Sequence, residues 1–74
     1  MTISELEEFQ DGVVVLHLND GEVVTGRINF VDREYEDIIV DVLQTSAPER
    51  YKEHNAAVYA IKIGDVASVT RVDK

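Results

Sequence analysis

Short apolar runs, rich in valine and isoleucine, alternate with polar or glycine-containing breaks along most of the chain. Valine and isoleucine favour strands, because their branched side chains pack well on a pleated surface. Each run also has the length of a strand rather than of a helix. The polar stretch 45–55, which contains Pro48, is predicted to be a loop or a frayed continuation of the flanking strands. The pattern predicts five strands, at residues 13–18, 23–32, 38–43, 57–63 and 66–72.

The first ten residues follow a different period, that of a helix. Ile3, Leu6 and Phe9 are spaced so that they share one helical face. A capping box pairs a hydroxyl with a glutamate three residues later, and the two satisfy the first free helix amides. The sequence predicts a short helix over residues 3–9, ended by the turn at Asp11-Gly12. Two overlapping capping boxes are present: Thr2 with Glu5, and Ser4 with Glu7.

Two glycines indicate how the first two strands are built. Asp20-Gly21 predicts a tight type I′ hairpin turn, because both residues tolerate the positive φ angles that this turn requires. Gly26 lies inside the second strand, where a glycine marks a sharp bend or a close backbone approach. A helix followed by five antiparallel strands, the second of them bent, predicts a mainly β fold class. The specific expectation is a small, strongly bent, SH3-like barrel.

Size and composition narrow the class of protein. The 74 residues are expected to form one domain, residues 1–74, near the lower limit for a chain that buries its own core. Cysteine is absent, so neither a disulfide nor a thiolate metal site can staple the fold. No apolar run approaches the roughly 20 residues that span a bilayer, and no signal pattern is present. These features predict a soluble, cytoplasmic protein without a membrane partner.

The charge opposes an ordinary nucleic-acid-binding role. Seven Lys and Arg residues stand against fifteen Asp and Glu residues, which gives a formal net charge of −8. Proteins that bind phosphate backbones normally carry a basic patch, and this chain has no basic run. Catalysis has no support either, since no nucleophile setting or phosphate-binding glycine loop is present. The chain is therefore expected not to be an enzyme and to need no cofactor.

Several polar residues are of types that bind metals or partners, but each has a simpler interpretation. His17 and His54 each lack the further partners that a metal site needs. The segment Arg50-Tyr51-Lys52 alternates basic and aromatic residues, so it is either a contact for RNA or a partner, or an ordinary loop. No metal is expected. Four carboxylates are close in sequence but lack calcium-loop spacing, so they predict a solvated acidic rim: Glu34, Glu36, Asp37 and Asp41.

The order of elements and three segments resemble the Sm-like (LSm) family. Residues 37–41 look like the family's Asn-Leu-Val-Leu-Asp, and residues 61–69 are similar to its Ile-Arg-Gly-x-x-Val-x-x-Ile. The resemblance covers residues 3–72, and another SH3-like five-stranded barrel is the alternative. The first motif, Gly-x-x-Val-x-Gly-x-Leu-x-x-x-Asp, is matched by Gly21, Val24, Gly26, Ile28 and Asp32.

The resemblance implies a homo-oligomeric ring of six or seven subunits, in which the fourth strand of one subunit pairs with the fifth strand of the next. The residues themselves agree, because both strands are apolar and free of proline, and as exposed edges they would promote aggregation. Pairing between subunits removes that hazard. The expected interface residues are Val58, Tyr59, Ile61, Ile63, Val66 and Val69.

The resemblance also implies a pocket for one base of single-stranded RNA, at Tyr35, Asp37 and Lys62. Tyr35 can stack on a base, but Lys62 lacks the planar surface of the family's arginine. Asp37 replaces an asparagine and, when ionised, only accepts hydrogen bonds. Ile63 replaces a glycine beside the pocket. The alternatives are a rim aromatic for Tyr35, a turn-capping carboxylate for Asp37 and a solvated or salt-bridged Lys62.

Two functions follow from these opposing signals. One is a ring that binds short single-stranded RNA, with one base pocket in each subunit. The alternative is an acidic Sm-like oligomer that has lost RNA binding and acts as a structural or protein-interaction module.

Overall fold

A computed structural model describes residues 2–50 and 58–72 of the chain. One short helix, α1, is followed by five strands and two single-turn 3₁₀ segments. None of the helices in these two ranges is long and apolar enough to cross a bilayer. In chain order the helix and strands are α1 Ile3–Glu7, β1 Val13–Leu18, β2 Val23–Asp32, β3 Asp37–Thr45, β4 Val58–Lys62 and β5 Val66–Arg71.

Helix α1 starts where the first capping box predicts. The Thr2 hydroxyl accepts a hydrogen bond from the Glu5 amide at 3.2 Å, and the Glu5 carboxylate accepts one from the Thr2 amide at 2.8 Å. The helix ends at Glu7, two residues earlier than predicted, since the chain then turns through Phe9 towards Asp11, which has φ 70°. Leu6 is the helical residue that the core buries completely.

The hairpin between β1 and β2 forms at the predicted place with a different turn. Gly21 has φ 97°, but Asp20 does not have a positive φ, so the type I′ expectation is wrong. Instead, the Gly21 amide donates to the Leu18 carbonyl at 3.1 Å, and Gly21 then takes the left-handed conformation. The loop is thus one residue longer than the two-residue turn, and only its glycine needs the unusual φ.

Gly26 marks the close backbone approach that the sequence predicts. A Cβ built on Gly26 would overlap the Asp41 carbonyl oxygen and lie 2.7 Å from Val40 Cγ1. The pairing register between β2 and β3 also shifts between Thr25 and Gly26. A larger residue would therefore push β3 away from β2 at this point.

The five strands form one antiparallel sheet in the order β4-β3-β2-β1-β5. The predicted fold class is confirmed: a mainly β protein with a short N-terminal helix and five antiparallel strands. One detail differs, because the sheet is open and not strongly curled. Strands β4 and β5 are its two edges, although only the 3₁₀ turn Ile63–Asp65 separates them along the chain.

The predicted strand bounds hold for β1 and β2 and change for the others. Strand β3 is longer than residues 38–43, since its pairing with β2 continues from Asp37 to Thr45. Strand β4 ends at Lys62 and β5 ends at Arg71, each one residue before the predicted end. The predicted loop 45–55 contains a 3₁₀ turn at Pro48–Arg50. Residues 51–55 of that loop, together with Ala57, lie outside the described residues.

One face of the sheet, here called the inner face, carries the core together with the buried side of α1. Eleven apolar residues are buried there, and five more pack against them. The alternation along each strand explains this division, since every second residue points to the same face. The buried set is Leu6, Val14, Leu16, Val24, Ile28, Val31, Ile38, Val40, Ile61, Ile63 and Val66.

Candidate functional site

The turn between β2 and β3, residues 33–36, presents the candidate aromatic. Asp32 Oδ1 accepts hydrogen bonds from the amides of Glu34 at 2.9 Å and Tyr35 at 3.2 Å, which fixes the turn. Glu36 closes the turn in the left-handed conformation, with φ 57°. Tyr35 is consequently held away from the core with 64% of its surface exposed. An exposed, backbone-anchored tyrosine of this kind could stack on a base or on a partner's side chain.

The structure brings all three candidate RNA-binding residues together. Lys62 lies directly opposite Asp37 in the β3–β4 pairing. Its Nζ is 3.1 Å from Asp37 Oδ1 and 3.3 Å from the Tyr35 carbonyl oxygen. Asp37 Oδ1 is buried and accepts no hydrogen bond of regular geometry, so the contact with Lys62 is an ion pair. The lysine charge is thus already compensated within the chain.

These contacts bear on the alternative interpretations of the three residues. The salt-bridged interpretation of Lys62 matches its contact with Asp37. The turn-capping role proposed for Asp37 falls instead to Asp32, a residue of the first motif. Ile63, which replaces a glycine in the resemblance, is buried, and its amide donates to the Glu36 carbonyl at 2.8 Å. Its side chain therefore points into the core rather than into the space beside Tyr35.

Two arginines fix helix α1 to the sheet. Arg33 makes a two-pronged contact with the Glu7 carboxylate, at 2.8 Å from Nε and 2.6 Å from Nη2. Arg71 Nη2 donates to the Glu8 carbonyl at 3.0 Å, and its guanidinium lies 5.0 Å from the centre of the Phe9 ring. Helix ends favour cations near their last carbonyls, so Arg71 also complements the helix dipole.

Every basic side chain in the described part of the chain takes part in an internal contact of this kind. Arg27 is the remaining one, and its Nη1 donates to the Asp11 carbonyl at 3.2 Å. The sequence holds seven Lys and Arg residues, and the other three lie where no side chain is described: Arg50, Lys52 and Lys74. Within residues 2–49 and 58–72, each Lys or Arg side chain thus already has at least one partner inside the chain.

The six predicted interface residues divide between the core and the surface. Ile61, Ile63 and Val66 belong to the core, with exposures of 8%, 5% and 2%. Val58 is 44% exposed, and Tyr59 and Val69 are half-buried. Three of the six side chains are therefore already buried within the subunit and are not exposed for a contact between subunits. The free edges of β4 and β5 therefore present mainly backbone groups.

Sequence reasoning missed a polar cluster at the start of β2. Glu22 is only 5% exposed, and the Thr45 hydroxyl donates to its carboxylate at 2.5 Å. Next to it, a polar cleft of about 190 Å³ is open to solvent. This volume is below the roughly 300 Å³ at which small-molecule pockets begin. A glutamate after a turn gives no sequence signal of burial. The cleft is lined by Val23, Thr25, Gln44, Thr45 and Ser46.

The remaining candidates give no further site. His17 is exposed on β1. No group of three His, Asp or Glu side chains in the described ranges is arranged to hold a metal ion. Most of the basic-aromatic segment Arg50-Tyr51-Lys52, together with His54, lies outside the described residues.

Comparison with known proteins identifies the fold but not a family. No protein-family model matches the sequence, and no curated protein matches it. The chain is similar in structure to a novel Sm-like archaeal protein from Pyrobaculum aerophilum, with a TM-score of 0.66 and 17% sequence identity. The similarity covers 99% of this chain and 52% of that protein, about half its length. The chain therefore has the Sm-like fold, which the sequence segments predicted.

Proposed function

We propose that this chain is the subunit of a homo-oligomer joined edge to edge, and that the oligomer is an acidic protein-interaction scaffold. The observation that carries the proposal is the pair of edge strands. Within the described residues, β4 pairs only with β3, and β5 pairs only with β1. Open apolar edges of this kind are normally covered or blocked, and neither strand contains proline.

Pairing β4 of one subunit with β5 of the next satisfies both edges at once. Such a head-to-tail contact uses two different surfaces, so repeating it closes into a ring when the rotation per subunit allows. The resemblance to the Sm-like family implies six or seven subunits. We assign the contact chiefly to the backbone of the two edges, beside which Val58, Tyr59 and Val69 lie.

The charge distribution supports a protein partner over RNA. The chain carries a net charge of −8, and each described basic side chain is engaged within the subunit. Binding to nucleic acid draws its affinity from releasing counterions at phosphates, which requires available cations. Assembly of like-charged subunits should accordingly strengthen as salt rises, because screening weakens their repulsion.

Native mass spectrometry and sedimentation of the full chain over a range of protein concentrations test the oligomer. Val58→Lys places a charge on the β4 edge, and Leu43→Lys makes the same change at a 64% exposed leucine of an interior strand. We expect Val58→Lys to raise the midpoint concentration of assembly by about tenfold, and Leu43→Lys to leave it unchanged. A wild-type monomer at every concentration would contradict the proposal.

Single-stranded RNA binding is the second candidate function, and one observation favours it: Tyr35 is exposed beside Lys62 and Asp37. The test is titration with labelled oligo-U, oligo-A and a G-rich strand at low salt, where electrostatic binding is strongest. We expect the wild type to bind none of them.

Asp37→Asn is the informative variant for the RNA candidate. It removes the ion pair with Lys62 and supplies an amide that both donates and accepts, so weak oligo-U binding should appear. Adding Tyr35→Ala should then remove that binding, since base stacking contributes about 1–3 kcal/mol. Tyr35-dependent RNA binding by the wild type would instead favour the RNA function over the scaffold.

A further inference from the structure

We propose that a stripe on the outer face of the sheet binds a basic, apolar segment of another protein. The outer face is the side of β2, β3 and β4 opposite the core. The outer stripe consists of Phe30, Ile39 and Ala60, one residue from each strand. This inference rests on the proposed scaffold function and names the surface and the chemistry of its partner.

The outer stripe is continuous across three strands. Phe30 pairs with Ile39, and Ile39 pairs with Ala60. Directly opposed residues in antiparallel strands share one face and lie close enough for their side chains to contact. Phe30 is 52% exposed, Ala60 is exposed and Ile39 is half-buried. Val58, 44% exposed, lies two residues from Ala60 on the same face and extends the apolar surface.

A bulge in β2 is the reason that Phe30 faces outward. Ile28 pairs with Val40 and points inward, whereas Phe30 pairs with Ile39, so the register shifts by one residue at Asn29. Without this extra residue, Phe30 would follow Ile28 on the inner face, because side chains two apart share a face. Bulges commonly re-aim a side chain at a functional surface. Here the bulge directs the larger of two candidate core residues to solvent and leaves Val31 inside.

The rows on either side of the outer stripe carry three carboxylates and two cations between them. On one side Asp32 pairs with Asp37, which pairs with Lys62. On the other side Arg27 pairs with Asp41, which pairs with Val58.

The adjoining β2–β3 turn adds further negative charge to this border. Glu34 and Glu36 belong to that turn, while its Arg33 is paired with Glu7. Lys62 is likewise held by Asp37, and Arg27 by the Asp11 carbonyl. The apolar stripe is thus bordered by net negative charge on the side of this turn, whereas the row of Arg27 and Asp41 on its other side is neutral.

Charge complementarity selects the occupant. A nucleic acid would bring phosphates against this acidic border, and a second copy of the same face would bring the same carboxylates. A protein segment with apolar side chains for the stripe and Lys or Arg for the border meets both requirements. Opposite charge at the rim of an interface mainly increases the association rate, whereas the apolar centre supplies most of the affinity.

Fluorescence anisotropy with short labelled peptides tests the proposal on the full chain. The probe alternates lysine with leucine; one control replaces lysine with glutamate, and another replaces leucine with serine. Measurements at about 0.15 M ionic strength limit long-range attraction, since the Debye length is then about 8 Å. We expect the lysine-leucine peptide to bind at least about tenfold more tightly than either control.

Matched variants separate the outer stripe from general exposure. Phe30→Thr should weaken binding of the lysine-leucine peptide by about tenfold or more, while Leu43→Thr, at an exposed leucine outside the stripe, should not change it. Asp41→Asn keeps the apolar surface and should weaken binding by a smaller factor.

Equal effects of Phe30→Thr and Leu43→Thr, or equal binding of the glutamate-leucine peptide, would overturn the proposal. So would competition of the probe by oligo-U, or self-association that depends on Phe30.

Native mass spectrometry of the same variants distinguishes this inference from the proposed function. Phe30→Thr should leave the subunit number unchanged, because edge pairing uses the backbone of β4 and β5. An intact oligomer that does not bind the peptide overturns the docking surface alone, whereas a monomeric wild type overturns the scaffold.

Discussion

The inner and outer faces of strands β2, β3 and β4 are built from alternating residues of the same chain, yet they differ in chemistry. On the inner face Ile28, Ile38 and Val40 are fully buried, and α1 covers part of the same core through Leu6. On the outer face the equivalent rows hold an exposed phenylalanine and an acidic border. The inner face thus accounts for the Sm-like fold, whereas the outer face is where we propose that a partner binds.

Two neighbouring isoleucines provide the most direct test of this difference. Ile38 is fully buried on the inner face, and Ile39 is half-buried on the outer face. Ile38→Ala should lower the free energy of unfolding by about 2–5 kcal/mol, since it removes buried methylenes and leaves a cavity. Ile39→Ala should lower it by about 1 kcal/mol or less. Urea denaturation at one fixed protein concentration measures both, because assembly also contributes to apparent stability.

A result that reversed this order would show that the outer face is covered in solution. Equal losses of stability for the two variants, with Ile39→Ala also weakening assembly, would place Ile39 inside a subunit interface. The outer face would then be a contact between subunits rather than a surface open to another protein.

Two glycines test how tightly β2 and β3 are packed. Gly26→Ala should lower the free energy of unfolding by about 1–3 kcal/mol, because its new methyl group would overlap the Asp41 carbonyl and force the strands apart. Gly64→Ala is the matched control, since nothing lies within 4 Å of a Cβ there, and its effect should stay within about 0.5 kcal/mol. Denaturant midpoints give both values. If Gly26→Ala left the free energy of unfolding unchanged, the two strands would be able to move apart with little loss of stability.

Local patterns in the sequence predicted the helix, the first two strands and the close approach at Gly26. Each depends on neighbours within a few residues, such as the Thr2–Glu5 box or the alternation along β1. The bulge at Asn29 could not be predicted in this way. The bulge depends on how β2 pairs with β3, a separate segment of the chain. This bulge alone turns Phe30 outward.

The residues of the candidate site could be predicted from the sequence, but the contacts between their charges could not. The resemblance to the Sm-like family selected Tyr35, Asp37 and Lys62, and the β3–β4 register brings them together. Their role in RNA binding stays a prediction. The ion pair between Asp37 and Lys62, and the contacts by which Arg33 and Arg71 hold α1, join distant parts of the chain. No local pattern encodes such contacts.

The contact between Glu7 and Arg33, which joins α1 to the β2–β3 turn, should contribute only modestly to the free energy of unfolding. Glu7→Gln removes the negative charge opposite Arg33, and we expect it to lower the free energy of unfolding by about 0.2–1 kcal/mol, as for other surface ion pairs. The loss should shrink at high salt, because screening weakens the exposed pair. Glu8→Gln is the control, since only the backbone carbonyl of Glu8 contacts Arg71. Thermal unfolding at low and high salt compares the two, and an equal effect of both variants would contradict a specific role for Glu7.

The smallest expected effect concerns pH at the start of α1. The hydrogen bond from the Thr2 amide, and secondarily that from the Thr2 hydroxyl, lowers the pKa of Glu5 below its ordinary value of 4.5. A carboxylate with a lowered folded-state pKa stabilises the folded state above its unfolded pKa. Its contribution should therefore be complete above pH 4.5 and be lost as the pH falls from there through the folded-state value.

NMR titration of the Glu5 carboxyl group measures this directly. Thr2→Ala should move the pKa of Glu5 upward towards 4.5, because the hydroxyl contact is lost and the cap loosens. Ser4→Ala should leave it unchanged, since the described contacts place Thr2, and not Ser4, at the helix cap. A shift with Ser4→Ala instead would mean that the helix begins two residues later in solution, which would loosen the cover that α1 provides for the inner face.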